Sequence, residues 1–527
     1  MSRDFHRPGR SPAFATSGMV ATSHPLASLT AVEILRAGGT AADAAVAAMA
    51  VACIGEPHMT GIGGDCFCLV ARPGQPIWGY NGSGRTGAAM RAETLIDQGL
   101  KEIAIDSVHA VTVPGAVEAW DTILRTHGRF GFDRVLAPAI AAAEGGVPVQ
   151  PRVALDWAVT EAKLRKHAAT TRIYLPGGAV PKAGDVVRFP ALAATLRKIA
   201  KDGARAFYKG EVADDIVTTL AGLGGVLTAE DFAMHRGEVV TPISTNYRGL
   251  EVVELPPNGQ GLAALILLNI LERFDIASLE PGSAEEMHLL IEAGRLAYTA
   301  RNTNIADPAF MTAPVSALLD RAFAARLAGM IDRERRSPFP PAIKPQGSTV
   351  LVCVVDKDRN AVTMINSLFS FFGSGITAEK TGVLLHHRGS GFNLAPDHPN
   401  CIGPVKRPMH TIIPALASRN GRVELAFGVM GGAYQAMGHA HLISNIVDHG
   451  MDLQTAIDSP RVFFEGEQVQ VENGTDEDVM HALRAHGHDV VRRPLPHGGG
   501  QAIRIDWDRG VLIGASDPRK DGIALGY

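Results

Sequence analysis

The sequence predicts a mixed α+β protein in which a helix-rich first part and a sheet-rich last part meet just before Thr349. Small and aliphatic residues recur at helical spacing from Pro25 to Cys53. Four prolines and four basic residues fall between Arg333 and Ser348, a composition typical of an exposed, extended linker. A β-branched run of strand length, TVLVCVVD, then occupies 349–356.

The first part opens with two predicted helices. Gly38-Gly39-Thr40 interrupts the helical pattern and Ala41 to Ala50 resumes it, so we expect a helix, a turn and a second helix. Because the second helix consists mainly of alanine, it can approach its neighbours closely and suits a buried layer against a sheet. A glycine-rich turn at 61–65 leads into Cys66 to Ala71, which alternates like a strand.

The rest of the chain divides at the linker. From Gly115 to about Asp332 the pattern is mainly helical and predicts a scaffold without obvious chemistry. After the linker, Thr349 to Asp356 and Ala361 to about Ser367 are separated by a polar turn and predict a buried hairpin. Strands, short helices and glycine-rich turns continue from there to Tyr527.

Composition places the chain among ordinary soluble globular proteins and excludes several functions. The 527 residues are 46% hydrophobic and 20% charged, which is enough to bury a large core. A formal charge of -4 offers no basic footprint for nucleic acid or for an anionic membrane. Residues 1–18 lack the apolar stretch of a secretory signal, and no later run approaches the roughly 20 apolar residues of a membrane span. We therefore expect a cytoplasmic protein that acts on a small molecule.

The cysteines predict a reduced protein without a metal site. Five cysteines are an odd number, widely spread and placed mostly in apolar runs, as in reduced cores. Cys66 and Cys68 have a spacing that could bind a metal, but no second pair accompanies them. Buried strand residues are the better interpretation, and we expect neither a metal nor another cofactor.

Thr349 is a candidate nucleophile because it directly follows the proline-rich linker and begins a predicted strand. In an intact chain, a threonine at the first position of a buried strand is ordinary. Cleavage between Ser348 and Thr349 would instead free an α-amino group beside the threonine hydroxyl. A hydroxyl needs a base to take its proton, and an α-amine with a pKa of about 7.7 to 8.0 suits that task at neutral pH.

Several ordered stretches resemble the γ-glutamyltranspeptidase family from Gly18 to the last residue. Before Thr349 they are GMVATSHPLAS at 18–28, AGGTAADAAVA at 37–47, EPHMTGIGGD at 56–65 and PPNGQG at 256–261. After it they are VVDKDRNAV at 354–362, FGSGI at 372–376, GVMGG at 428–432 and GASDPRKDGIALGY at 514–527. The resemblance implies a four-layer αββα sandwich of N-terminal-nucleophile hydrolase type and a precursor that cleaves itself.

The same resemblance implies roles for individual residues. Thr349 falls on the family's nucleophilic threonine, and Ser367 on a hydroxyl position that supports it. Gly431 and Gly432 would offer backbone N–H groups to the tetrahedral oxyanion. Cleavage after Ser348 would give a large subunit of residues 1–348 and a small subunit of residues 349–527. These would stay associated, either as one pair or as a dimer of pairs.

The sequence departs from the family where a γ-glutamyl group is held. Ser83 stands in place of the arginine that binds the glutamyl carboxylate, and Gly391 in place of the aspartate that binds the amino group. The paired serines of the family are His410 and Thr411 here. These changes resemble the branch that contains oxamate amidohydrolase.

That branch implies a different way of binding the acyl group. Arg85, Arg388 and His410 are candidates to hold a small carboxylate, with Thr411 beside them. The predicted function is therefore an amidohydrolase that acts on a small, carboxylate-bearing amide through an acyl-threonine intermediate.

Two alternatives remain at this stage. One is a glutathione hydrolase or γ-glutamyltransferase that binds its substrate through other residues. The second is a non-catalytic family member that keeps the fold and is never cleaved.

Overall fold

The computed structural model describes residues 9–338 and 347–527. Half of the predicted linker, residues 339–346, lies outside the described residues. The strands are β1 Ala13–Ala15, β2 Met19–Thr22, β3 Asp65–Ala71, β4 Trp78–Gly82, β5 Val147–Pro148, β6 Val186–Val187, β7 Glu238–Val240, β8 Ile243–Tyr247, β9 Leu250–Glu254, β10 Ser348–Val355, β11 Ala361–Phe369, β12 Thr377–Ala378, β13 Val383–Leu384, β14 Ala415–Arg419, β15 Arg422–Met430, β16 Val462–Glu465, β17 Gln468–Val471, β18 Asp489–Arg492, β19 Gly499–Asp506, β20 Val511–Ser516 and β21 Ile523–Gly526.

The α-helices are α1 Pro25–Arg36, α2 Ala41–Gly55, α3 Ala92–Asp97, α4 Ala116–His127, α5 Phe132–Val135, α6 Ala137–Gly145, α7 Pro151–Ala158, α8 Glu161–Leu164, α9 Ala168–Tyr174, α10 Pro190–Asp202, α11 Arg205–Tyr208, α12 Glu211–Ala221, α13 Ala229–Met234, α14 Gly261–Leu271, α15 Ala284–Asn304, α16 Val315–Leu318, α17 Arg321–Ala328, α18 Gln435–Val447, α19 Leu453–Asp458 and α20 Glu477–Ala485. Short 3-10 turns lie at Val108–Ala110, Pro176–Gly178, Ile276–Ser278, Pro308–Phe310, Arg388–Gly391 and Gly432–Tyr434.

Two seven-stranded antiparallel sheets form the centre of the protein. One sheet has the strand order β1-β20-β19-β15-β14-β9-β8, and the other has the order β21-β2-β10-β11-β3-β4-β7. The sheets pack face to face, with β10 against β15 and β19. Their facing side chains belong to the larger of the hydrophobic clusters in the described part of the chain.

Helices cover the outer face of each sheet and complete four layers. Helices α2 and α4 pack on the sheet that contains β10, and α14, α18 and α19 pack on the other sheet. The predicted αββα sandwich is therefore confirmed.

Helix α2 shows why this sequence forms a buried layer. Thr40 caps its N-terminus by accepting from the Asp43 backbone N–H, and the Asp43 side chain accepts from the Thr40 backbone N–H in return. All residues of the helix are buried, which is possible because most of them are alanine. As the sequence predicts, its small side chains let it pack on both β10 and β11.

The middle of the chain is mainly helical, as predicted, but it also contains short strands that were not predicted. Strands β7, β8 and β9 lie in the stretch predicted to be mainly helical. Strand β7 and strand β8 stand at sheet edges and expose several residues, so their hydrophobic pattern is weak. The five cysteines are free and buried, as expected for a reduced core. Among the described helices, none is both long enough and apolar enough to cross a membrane.

Candidate active site

Thr349 is the second residue of β10, which lies between β2 and β11 in the middle of its sheet. Its side chain is completely buried. The register of β10 against β11 shifts at this point: Ser348 pairs with Phe369 and Val350 pairs with Asn366. Thr349 alone therefore faces two residues of the partner strand. Irregularities of this kind re-aim a side chain and are common beside active sites.

Ser367 is the nearest hydroxyl to Thr349 across this irregularity. The Thr349 Oγ1 donates to Ser367 Oγ over 3.3 Å, and Gln435 Nε2 donates to Thr349 Oγ1 over 3.4 Å. Both bonds are long for their type. The Ser367 Oγ also accepts from the Phe369 backbone N–H at 2.9 Å, which fixes the end of β11 beside the threonine.

Arg388 connects this pair of hydroxyls to the next loop. Its Nη2 donates to Ser367 Oγ at 2.7 Å, and its Nη1 donates to Thr411 Oγ1 at 2.7 Å. The guanidinium lies 4.2 Å from the ring centroid of Phe369. Its Nε is buried and has no hydrogen-bond partner among the described residues. Burial lowers the pKa of Arg388 to about 9, so it remains charged at neutral pH.

His410 is held by Asp65 on the other side of the same loop. Its Nε2 lies 3.1 Å from Asp65 Oδ2, and its Nδ1 accepts from the Ile412 backbone N–H at 3.3 Å. The proton therefore sits on Nε2, which donates to the carboxyl. Burial holds the pKa of His410 well below its usual range and raises the pKa of Asp65 to about 7. Both ring nitrogens of His410 are thus in use.

The glycine pair lies directly beside the bond that precedes Thr349. Gly431 and Gly432 have φ of 125° and 59°, a region that favours glycine. Gly347 packs so closely on them that a Cβ on it would lie 2.6 Å from the Gly432 nitrogen. In the intact chain, the backbone just before Ser348 therefore occupies the space in front of the glycine pair.

Gln260 fixes the position of the glycine pair relative to the loop of Thr411. Its Nε2 donates to the carbonyl oxygens of both Gly432 and Thr411 at 2.8 Å. Its Oε1 accepts from Arg301 Nη1 at 2.5 Å. All of these groups are buried, so the amide orientation is determined by its partners.

The structure brings together most of the predicted site residues, but Arg85 stands apart. Thr349, Ser367, Arg388 and Thr411 form one hydrogen-bonded group, and the glycine pair adjoins it through Gln435 and Gln260. Arg85 instead forms an ion pair with Glu238 at 2.6 Å, and the Glu238 carboxylate is about half exposed. His410 contacts Asp65 and is not open to a ligand.

Three polar residues of the site were not assigned from sequence. Asp65 and Gln260 lie inside the stretches EPHMTGIGGD and PPNGQG. These stretches resemble the family and could have marked both residues, but no role was predicted for either. Gln435 follows the glycine pair by three residues, and no pattern in the sequence singles it out.

The two positions that depart from the γ-glutamyl pattern are built into the fold. Ser83 is completely buried and donates to Asn81 Oδ1 at 2.7 Å, while Asn258 Nδ2 donates to Ser83 Oγ at 3.2 Å. A Cβ on Gly391 would lie 2.9 Å from the carbonyl oxygen of Met409. Ser83 is thus held in a buried amide network, and a side chain at Gly391 would press on the Met409 carbonyl oxygen.

One group among the described residues could hold a metal ion. His288, Glu292 and His488 place one ligand atom each within 4.8 Å of one another. The pair Cys66 and Cys68 takes no part in it.

Comparison with known proteins identifies the family. The model of the Gamma-glutamyltranspeptidase family matches residues 27–527. The chain belongs to the γ-glutamyltranspeptidase family. Within this family it is 38% identical over 523 residues to the glutathione hydrolase-like YwrD proenzyme of Bacillus subtilis, covering 97% of this chain and 98% of the relative. It is 35% identical to the oxamate amidohydrolase proenzyme of Klebsiella pneumoniae, covering 97% and 99% of the two chains.

Solved structures agree with this membership. The crystal structure of cephalosporin acylase from Bacillus halodurans superposes with a TM-score of 0.93 at 37% identity, covering 100% of this chain and 99% of the other. The γ-glutamyltranspeptidase family member described here thus shares its whole fold with a relative of the same length. These relatives are hydrolases that act on amide bonds.

Proposed function

We propose that Thr349 cleaves the chain after Ser348 and then acts as the nucleophile of an amidohydrolase for small, carboxylate-bearing amides such as oxamate. The cut divides the protein into subunits 1–348 and 349–527. The Klebsiella pneumoniae relative carries the name of this activity, and its 35% identity extends over nearly the whole chain.

The first step is an attack of the Thr349 hydroxyl on the Ser348 carbonyl carbon. The backbone nitrogen of Thr349 leaves as an amine after it takes a proton, and water hydrolyses the resulting ester. The positions of Gly347 and Gly432 support this step, because they place the chain before the bond against backbone N–H groups suited to an oxyanion.

The second step uses the amine that cleavage exposes. In the cleaved protein, the neutral α-amine accepts the hydroxyl proton while Oγ1 attacks the substrate carbonyl. The N–H groups of Gly431 and Gly432 stabilise the oxyanion, and the substrate nitrogen leaves with the proton. Water then hydrolyses the acyl ester and restores Thr349.

The burial and the hydrogen bonds of Arg388 are the observation that supports the choice of substrate. Arg388 is a buried cation, hydrogen-bonded to Ser367 Oγ and Thr411 Oγ1, with an Nε that has no partner among the described residues. A carboxylate next to the reacting carbonyl, as in oxamate, can accept from this guanidinium while the carbonyl remains within reach of Thr349. Because the surroundings of Arg388 are closed, the acyl group must be small.

The glutathione hydrolase alternative is disfavoured by the same surroundings. A γ-glutamyl group carries both a carboxylate and an ammonium, and the residues that would hold them are Ser83 and Gly391. Ser83 donates within a buried amide network, and a Cβ on Gly391 would lie 2.9 Å from the carbonyl oxygen of Met409. An ammonium beside Arg388 would also meet a like charge.

A substrate panel tests the proposal. We expect purified, cleaved enzyme to release ammonia from oxamate with a kcat/KM at least about a hundredfold above that for glutamate release from a γ-glutamyl anilide. The opposite preference would establish the glutathione hydrolase alternative. A protein that stays as one chain and turns over neither compound would establish the non-catalytic alternative.

A further inference from the structure

A buried group of two histidines and a glutamate lies where helix α15 meets the turn between α20 and β18. His288 and Glu292 are four residues apart on α15, and His488 lies in the turn. Because residues at this spacing project from the same face of a helix, α15 presents an imidazole and a carboxylate side by side. The three residues are at most 3% exposed, and each places one ligand atom within 4.8 Å of the others.

The prediction of no metal was drawn from the cysteines, whereas this group contains none. Its two histidines are 200 residues apart in the chain. Short metal-binding motifs need ligands that are close in sequence, so no local pattern marks the group.

The hydrogen bonds of His288 leave one of its ring nitrogens with a lone pair. Its Nε2 lies 2.7 Å from the carbonyl oxygen of Asp332, which can only accept, so the proton of the neutral ring is on Nε2. Nδ1 therefore carries the lone pair, and it lies 2.8 Å from His488 Nε2. Metal-binding histidines usually donate their other N–H to a carbonyl or a carboxylate in this way, because that bond fixes the tautomer and the ring orientation.

Glu292 and His488 each keep an atom without a partner in this buried space. Glu292 Oε2 accepts from the Ser337 backbone N–H at 2.9 Å, whereas Oε1 has no partner among the described residues. The same is true of His488 Nδ1 within the described part of the chain. Leaving a buried carboxylate oxygen unsatisfied is costly, and a bound cation would satisfy it.

The donors and their neighbours favour one class of ion. Two imidazole nitrogens with one carboxylate suit Zn²⁺, Co²⁺, Ni²⁺ or Cu²⁺, whereas Mg²⁺ and Ca²⁺ prefer oxygen ligands. Arg295 follows Glu292 by three residues on α15, and its positive charge weakens the attraction of any cation. Bonding to the imidazoles must therefore supply most of the affinity. Arg336 is neutralised by an ion pair with Glu467.

A metal ion would replace the contact between the two histidines. Bonds of about 2.0 to 2.2 Å place two tetrahedral ligand atoms about 3.3 to 3.6 Å apart. The separation of 2.8 Å between His288 Nδ1 and His488 Nε2 would have to widen by about 0.5 Å to reach this range. Small rotations of the two rings can supply that change.

We propose that His288, Glu292 and His488 bind a divalent transition-metal ion of the zinc class, and that this ion joins the two parts of the chain on either side of Thr349. His288 and Glu292 precede the proposed cleavage site, and His488 follows it. Asp332 and Ser337, which contact the first two ligands, belong to the segment that leads into the linker. The ion would therefore hold this segment, α15 and the small subunit together.

Metal titration of the purified protein tests the site. After EDTA treatment and removal of the chelator, calorimetry should show one Zn²⁺ bound per chain, and Zn²⁺ should raise the Tm. Bound Co²⁺ should show the visible absorption bands of an ion with nitrogen ligands. Absence of Zn²⁺ binding would overturn the proposal and leave the histidines as a hydrogen-bonded pair. An equal rise of the Tm with Mg²⁺ would contradict the assignment of the donors.

Variants assign the binding to residues. His488→Gln and Glu292→Gln each remove one ligand and should weaken Zn²⁺ binding at least about tenfold. The matched control is His481→Gln, because His481 is exposed on α20 and is not a member of the group. An unchanged affinity in a ligand variant would contradict the assignment. If one of the two ligand variants does not fold, the other decides alone.

The joining role is measured separately from binding. Thr349→Ala should bind Zn²⁺ with the affinity of the wild type, because Thr349 is not a ligand. In the cleaved wild type, the two subunits should separate at a lower urea concentration after EDTA treatment than with Zn²⁺ bound. Equal urea concentrations would contradict the joining role. A wild type that is never cleaved would contradict the proposed function, and the binding test would still decide the metal site.

Discussion

The buried group around Arg388 and the open cavity beside the glycine pair differ in burial and in hydrogen bonding. Arg388 and its neighbours are fully buried and nearly every polar atom has a partner. Beside the glycine pair, by contrast, Arg152, Arg493 and Lys520 line an open cavity of about 390 Å³. A closed site with one unpaired donor selects one small group strictly, whereas an open charged cavity accepts a class of groups. The contrast suggests that the strict choice of substrate is made at Arg388.

Removing the hydroxyl from Thr349 is expected to have the largest effect. Thr349→Ala should remain a single chain of 55.7 kDa and lose oxamate hydrolysis by roughly a thousandfold or more, because both steps need Oγ1. Denaturing gels and mass spectrometry of the new N-terminus measure the first outcome. Thr349→Ser keeps a hydroxyl and should still be cut. Cutting of Thr349→Ala at the same bond would assign the cleavage to another protease.

Loss of the buried cation should come next. Arg388→Gln removes a charge-assisted contact to the acyl carboxylate, worth about 2 to 5 kcal/mol, and should lower kcat/KM for oxamate by roughly 30-fold to several thousandfold. Arg85→Gln is the matched control, since a partly exposed ion pair is worth about 0 to 1 kcal/mol. Equal losses in the two variants would remove Arg388 from the acyl site.

A side chain at Gly347 should slow the first step selectively. In Gly347→Ala the new Cβ would press on the Gly432 nitrogen at 2.6 Å, and the φ of 145° disfavours alanine. We expect self-cleavage to slow by about tenfold or more, as followed on denaturing gels over time. Gly403→Ala is the control, because nothing lies within 4 Å of its Cβ position. Normal cleavage of Gly347→Ala would show that this segment moves before it reacts.

The pH profile should give the smallest but most specific effect. Turnover should rise with pH through the titration of the free Thr349 amine, ordinarily near a pKa of about 7.7 to 8.0, because only the neutral amine accepts a proton. A nearby cation favours the neutral form, so the residual activity of Arg388→Gln should have its midpoint at a higher pH. Equal midpoints in wild type and variant would place the guanidinium too far from the amine to act on it.

The sequence predicted the layers better than the contacts. Hairpin β10–β11 and helix α2 are strongly patterned, and the structure has both. The edge strands β7 and β8 were missed because they are short and partly exposed, so few apolar residues mark them in the sequence.

The candidate site divides in a similar way. Thr349 and the glycine pair could be found because each lies in an ordered motif. Arg388, Arg85 and His410 were equivalent in the sequence, since each is a polar residue in a loop. What distinguishes them is long-range packing: Arg85 meets Glu238, His410 meets Asp65, and Arg388 reaches Ser367. No local pattern encodes partners that lie far apart in the chain.

The strand order of the sheet that contains Thr349 determines whether the two proposed subunits stay together after cleavage. Across that sheet, β21 comes from after the proposed cleavage site, β2 from before it, β10 and β11 from after it, and β3, β4 and β7 from before it. Strands of the two proposed subunits therefore alternate in the sheet. Backbone hydrogen bonds join the subunits where β21 meets β2, where β2 meets β10 and where β11 meets β3. Breaking one peptide bond would therefore free an amine without freeing a fragment. Maturation would be a one-way event, because pieces unfolded after the cut must find each other again as separate molecules.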